Sequence, residues 1–234
     1  MRKYSKRLLA LLLACIMVLA CGVTAFADEI PSVTYKYPKP NTWFVTGVDG
    51  GDSYTNVIKV PCKGTLKLIA DIDEDYVSGE TAQTVCPQQY SLSNMASDSF
   101  VNSDHYVKNG TFFTKMVSKG DYSFETVFIA GKYKWTFTPE KTAISSVKNA
   151  SSKSITVKWK KVSGVTGYQI QYSTKSDFSS KKTVTVKKDS TTSKKIKSLK
   201  KGKKYYVRVR SYTTVNGTKC YSEWSDKKAV KITK

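Results

Sequence analysis

The chain has 234 residues, with 39 Lys+Arg against 18 Asp+Glu, one histidine and five cysteines, for a formal net charge of +21. A single histidine without a nucleophile motif, no zinc-ligand spacing and no glycine-rich phosphate loop speak against triad hydrolases, zinc enzymes and nucleotide enzymes. The length suits two domains of ordinary small size.

Residues 1–27 read as an export signal. Arg2, Lys3, Lys6 and Arg7 form a basic start, an apolar run follows from Leu8 to Cys21, and Ala25-Phe26-Ala27 precedes Asp28 as a small-residue cleavage site. The apolar run falls short of the about 20 residues of a membrane span. Val18-Leu19-Ala20 before Cys21 resembles a bacterial lipobox, which would make Cys21 a lipid-bearing N-terminus. Leu19 stands where a smaller residue is usual, so the Ala-x-Ala site is the better formed of the two. No later apolar run and no Leu-Pro-x-Thr-Gly signal appears before Lys234. The expectation is a secreted, bacterial protein with no transmembrane segment after cleavage, either released or held at the cell wall.

Beyond Ala27 there is no sustained helical periodicity. Short alternating runs separated by Gly, Asn, Asp and Ser predict strands throughout. Residues 28–139 form the first predicted domain. Near its start, Tyr35, Tyr37, Trp43, Phe44 and Tyr54 offer rings for stacking sugars. Trp43 is the preferred glycan-binding candidate, because Pro38, Pro40 and Asn41 before it suggest an edge or loop; the plain alternative is that these rings fill the core. Asn56–Val60 and Thr65–Ala70 read as strands around Pro61-Cys62-Lys63-Gly64. Next, Asp71, Asp73 and Asp75 alternate in a string that suits calcium, a cation that takes six to eight oxygens. Asp49 and Asp52 would add ligands if their loop came near. Tyr76 stands where an EF-hand loop has glycine, and a solvated turn is the alternative. No other cofactor is implied. An oxidising compartment permits a Cys62–Cys86 disulfide, which would leave Cys220 as a partly buried thiol or an intermolecular link. His105 lies in Ser103-Asp104-His105-Tyr106 with no partner motif around it. Thr111–Val117, Tyr122–Phe128 and Lys132–Thr138 are further strands, the last with Tyr133, Trp135 and Phe137 on one inward face. Ile58-Lys59-Val60-Pro61 with Gly64, Lys119-Gly120-Asp121-Tyr122 and Gly131-Lys132-Tyr133 give this region a resemblance to small bacterial jelly-roll domains of the pre-peptidase C-terminal type.

Pro139 ends a strand, and residues 140–142 form a linker too short for free swinging. In residues 143–234, Ile155, Val157 and Trp159 alternate along Ser154–Trp159. Gly167–Tyr172 follows, then Leu199-Lys200-Lys201-Gly202-Lys203-Lys204-Tyr205 running into Val207 and Val209. Asn216-Gly217 supplies a hairpin turn and Ser222-Glu223-Trp224-Ser225 the last landmark. This spacing resembles a fibronectin type III domain, with Lys201 where a proline is common. The resemblance implies an immunoglobulin-like sandwich, Leu199 as a core plug, and Tyr205 at a tyrosine corner whose hydroxyl bonds backbone. The fold class is therefore all-β, two β-sandwich domains in tandem. No Arg-Gly-Asp stands in the Asn216-Gly217 loop, and the fold does not by itself give a function.

Charge divides sharply. Residues 143–234 hold 24 Lys+Arg against four Asp+Glu, a net +20, whereas residues 28–142 hold 11 against 14, a net −3. Lys194, Lys195, Lys197, Lys200, Lys201, Lys203, Lys204, Arg208 and Arg210 form the candidate polyanion-binding set; solubility and blunting of edge strands are the alternative. Trp224 beside Arg208 and Arg210 predicts a cation–π ladder. The expected function is a non-enzymatic secreted or cell-surface binding or adhesion module. Its expected partners are anionic cell-wall polymer or polysaccharide, with another surface protein as a further candidate. No motif for reading a specific nucleic acid accompanies the charge. The rival expectations are carbohydrate binding through the first domain and an accessory role beside a secreted enzyme.

Overall fold

The computed structural model describes residues 34–45, 48–49, 52–72, 89–97, 99–100, 109–127 and 131–234. The export signal with Cys21, and Asp73, Asp75, Cys86 and His105, lie outside the described residues. Every regular element described is a strand.

The first sandwich uses β1 (Thr34–Lys36), β2 (Phe44–Val45), β3 (Val48–Asp49), β4 (Asp52–Val60), β5 (Gly64–Ile72), β6 (Gln89–Asn94), β7 (Ser99–Phe100), β8 (Gly110–Val117), β9 (Gly120–Val127) and β10 (Gly131–Pro139). One sheet runs β1-β4-β9-β6-β7 with β3 also on β4; the other runs β2-β10-β5-β8. Strict alternation decides the buried face. Leu66, Leu68 and Ala70 of β5 stand opposite Phe137, Trp135 and Tyr133 of β10, and all six are buried. From the facing sheet, Ile58, Val60, Leu92, Tyr122 and Phe124 close the core. The Phe124 and Tyr133 rings meet edge to face across it, centroids 5.4 Å apart. The chain crosses between the sheets over residues 37–43, and Trp135 holds that crossing. Its indole N–H donates to the Pro38 carbonyl (3.2 Å), and its carbonyl accepts from the Asn41 amide (2.8 Å).

The second sandwich uses β11 (Ile144–Ser151), β12 (Ser154–Trp159), β13 (Gly167–Ser173), β14 (Lys182–Val186), β15 (Ser193–Ile196), β16 (Lys204–Val215), β17 (Thr218–Tyr221) and β18 (Lys228–Lys231). A three-stranded sheet, β11-β12-β15, faces a five-stranded one, β14-β13-β16-β17 with β18 also on β16. Ile155, Val157 and Trp159 point inward as the alternation predicts, against Tyr168, Ile170, Val207 and Val209. The Tyr205 hydroxyl accepts a hydrogen bond from the Lys200 amide (3.1 Å), so the expected tyrosine corner is formed. The Asn216-Gly217 turn has φ of 47° and 81°, the left-handed pair that a two-residue hairpin needs and that Gly217 adopts without Cβ strain.

Residues 33–234 pack as one compact unit. The β16–β17 hairpin lies alongside β10, and the buried side chains of both sandwiches merge into a single apolar cluster that includes Cys62 and Cys220. Polar contacts reinforce the junction. The Ser211 hydroxyl donates to the Glu140 carbonyl (2.8 Å), and the Asn216 side-chain amide donates to the Tyr37 carbonyl (3.4 Å). Gly164, at φ 76°, lies so near Cys62 that an added Cβ would stand 3.1 Å from the cysteine Cβ. Cys62 stands here as a free, buried thiol, and the Cys86 of the expected Cys62–Cys86 disulfide lies outside the described residues. Its side chain is enclosed by the apolar junction, where Cys220 is the second buried thiol.

Candidate functional site

Arg208 and Arg210 lie on the outward side of β16, alternating with the inward Val207 and Val209. Their guanidinium groups are stacked. Arg208 is 4.2 Å from the Phe178 ring centre and 4.5 Å from that of Trp224. Arg210 is 4.4 Å from Trp224 and 3.8 Å from Tyr221. The result is a continuous stack, Phe178–Arg208–Trp224–Arg210–Tyr221. Each arginine also donates through two nitrogens to one glutamine oxygen on β13. Arg208 Nε and Nη2 reach Gln171 Oε1 at 2.9 and 2.7 Å; Arg210 Nε and Nη2 reach Gln169 Oε1 at 3.1 and 2.8 Å. Burial lowers both guanidinium pKa values, and Arg208 adds to the lowering at Arg210 against the opposing pull of Tyr221 and Glu223. Both remain cations, because arginine starts so high.

The local sequence explains why Trp224 reaches this stack. The Ser211 and Val209 amides of β16 donate to the hydroxyls of Ser222 (3.0 Å) and Ser225 (2.9 Å). The amides of those serines donate back to the Ser211 and Val209 carbonyls, at 3.0 and 2.8 Å. Serine side chains thus replace strand carbonyls, and the tryptophan between them is laid outward over the arginines.

The lysines are placed differently. All 22 lysines between residues 143 and 234 are exposed. Lys194 and Lys195 lie on β15, in the three-stranded sheet, on the opposite side of the sandwich from the arginine stack. Lys197, Lys200, Lys201 and Lys203 lie in the corner after β15. That corner meets the β11–β12 turn, where the Leu199 amide donates to the Lys153 carbonyl (2.9 Å). Lys204 opens β16, its ammonium 5.4 Å from the Tyr206 ring centre. The structure therefore gathers Lys194, Lys195, Lys197, Lys200, Lys201 and Lys203 at one side and end of the domain, and does not bring Arg208 and Arg210 to them.

Register adds residues that sequence reasoning missed. Lys148, Thr156 and Lys195 form one row across β11, β12 and β15; Ser146, Lys158 and Ser193 form the next. Cross-strand partners share a face, so three lysines and three hydroxyl residues tile the outward side of this sheet. Outward placement of Lys158 follows from the Ile155–Val157–Trp159 alternation, but its neighbours require the register. The region's four acids lie elsewhere: Asp177 between β13 and β14, Asp189 between β14 and β15, Glu223 and Asp226 between β17 and β18. Asp226 pairs with Lys141 at 3.2 Å, both well exposed.

In the first sandwich, Trp43 is 42% exposed and carries the Lys134 ammonium 4.3 Å from its ring centre. Tyr35 and Tyr37 are also exposed, and Lys59 lies 4.4 Å from the Tyr37 ring centre. A shallow groove of about 310 Å3 beside them is lined by Lys36, Tyr37, Pro38, Phe44, Val45 and Asn56. Asp71 is exposed on β5 opposite Lys132. Among the described residues no three His, Cys, Asp or Glu side chains gather as a metal site.

Residues 138–227 match the model of the fibronectin type III domain. The chain carries a fibronectin type III domain. Similar solved structures include an Fn3-like protein from Clostridium thermocellum, at 22% identity over 39% of this chain and 91% of that one, with a TM-score of 0.32. Another is the sixth fibronectin type III domain of human fibronectin type III domain containing protein 3, at 19% identity over 41% and 86%, TM-score 0.32. The FN1–FN3 domains of chicken CNTN1 align at 17% identity over 88% of this chain and 66% of that one, TM-score 0.37. No curated protein matches the chain.

Proposed function

We propose that this chain is a non-enzymatic binding and adhesion module, exported and retained at the cell surface, whose fibronectin type III domain associates with anionic surface polymer. One observation carries the reading: the domain's 22 lysines are all exposed, against four acids in the same region. Such a surface attracts polyanions and concentrates them locally, with a strong dependence on salt. The first sandwich, with its likeness to pre-peptidase C-terminal-type jelly rolls, is assigned the display of any specificity. The test is co-sedimentation of residues 28–234 with purified cell walls at low and high salt. Pelleting at low salt and release at high salt is expected; protein left in the supernatant at both would sink the proposal.

A second reading rests on the exposed rings of Tyr35, Tyr37 and Trp43 along one edge of the first sandwich. It makes that sandwich a carbohydrate-binding module. Binding would then be insensitive to salt, competed by free sugar and lost in Trp43→Ala.

A further inference from the structure

We propose that the outward side of the three-stranded sheet β11-β12-β15 is the docking face, and that its occupant is a linear polymer of phosphate or phosphodiester units. The inference rests on the polyanion reading above and gives it a location and a ligand chemistry.

The argument begins with register. Lys148 and Lys195 flank Thr156 in one row, and Lys158 sits between Ser146 and Ser193 in the next. Strands lie about 4.8 Å apart and rows on one face about 6.8 Å apart. The Cα atoms of the three lysines therefore form a triangle with sides of about 8, 8 and 10 Å. Lys197 continues the basic surface past the end of β15, beside the turn that holds Lys153. None of the region's four acids is on these three strands.

Geometry then selects the size of the ligand. The lysines are exposed on an open sheet face, so a single small anion there meets one or two ammonium groups through water. A chain lying across the rows meets all of them at once, and each contact raises the effective concentration for the next. Chemistry selects the charge carrier. Planar bidentate recognition of carboxylate is the work of guanidinium, and both arginines of the domain are stacked and bonded to Gln169 and Gln171 on the opposite side. What the face offers is point-charge ammonium interleaved with hydroxyl donors. That suits a tetrahedral phosphate, whose free oxygens accept from both. None of these six outward positions is aromatic, so the bases of a nucleic acid would gain no stacking.

The experiment titrates residues 28–234 with long-chain inorganic polyphosphate. Orthophosphate and polyglutamate are used at equal charge, and single-stranded DNA at equal phosphate. Two triple variants are compared with the parent: K148Q/K158Q/K195Q on the face, and K175Q/K181Q/K182Q on the five-stranded side with the same change in charge. Expected are tight binding of polyphosphate, weaker binding of polyglutamate and negligible binding of orthophosphate. The face variant should lose about tenfold in affinity, with a salt slope shallower by about two, while the control triple changes little. Equal losses in the two triples would overturn the docking face and leave general polyanion attraction standing. Equal binding of polyglutamate, or much tighter binding of DNA, would overturn the phosphate assignment. Absence of binding to every polyanion would remove the underlying reading as well.

Discussion

The two outward faces of the fibronectin type III domain carry charge of the same sign and put it to opposite use. On β16, each arginine is sandwiched by rings and bonded through two nitrogens to a glutamine. Across the sandwich, the lysines of β11, β12 and β15 stand in water beside small hydroxyl residues. A guanidinium is planar and weakly hydrated, so stacking holds it well; an ammonium is compact and strongly hydrated, so it stays out. Formal charge therefore misjudges what a surface can offer. The arginine face is part of the scaffold, and the lysine face remains free to engage something else.

Substitutions on the two faces put that contrast to the test. The largest effect is expected of Trp224→Ala, which removes the ring shared by both arginines. Denaturant unfolding should report a loss of about 3 kcal/mol, while polyphosphate affinity stays at the parent level. Ser225→Ala follows, because it strips the acceptor from the buried Val209 amide; a loss of about 1–3 kcal/mol is expected in the same measurement. Arg208→Lys keeps the charge but not the fork or the stack, and should cost about 1 kcal/mol.

A smaller, pH-dependent effect belongs to the junction. Burial pushes both the Cys62 and Cys220 thiols up to about 11, with a further push on Cys62 from Cys220 and Glu140. The unfolded chain, with thiols near their ordinary 9.0, deprotonates first as pH rises. The stabilising contribution is complete below pH 9 and declines as pH climbs toward about 11. Unfolding midpoints across that window should fall more steeply in the parent than in C62S/C220S. Reaction of the native thiols with a disulfide reagent at pH 8 should be slow until denaturant is added. The smallest effect is expected of K148Q/K158Q/K195Q, whose stability should stay within about 0.5 kcal/mol of the parent. A larger drop would mean that the lysine face, too, is scaffold.

Much of this architecture is legible in the sequence. Alternation in Ser154–Trp159 and in Lys132–Thr138 carries the inward faces, because a strand's side chains repeat every two residues. The Tyr205 corner and the Asn216-Gly217 turn are local devices with local signatures. What sequence could not supply is pairing between distant strands. The partners of Arg208 and Arg210 come from Gln169 and Gln171 on a neighbouring strand and from Phe178 in a connection. Lys148 becomes a neighbour of Lys195 only through β12. The burial of Cys62 likewise is completed by residues of the other sandwich. Each of these is a long-range fact, and none leaves a periodic trace.

The β16–β17 hairpin that lies along β10 has a mechanical meaning. Two beads on a string would let a tethered protein sample many orientations, and tension would be absorbed by the joint. A hairpin welded to its neighbour through a common apolar seam transmits torque. If one face of the second sandwich is held against a polymer, the first sandwich, with its exposed Tyr35, Tyr37 and Trp43, is carried at a set angle. The chain then behaves as a bracket, in which attachment at one end determines what the other end can reach.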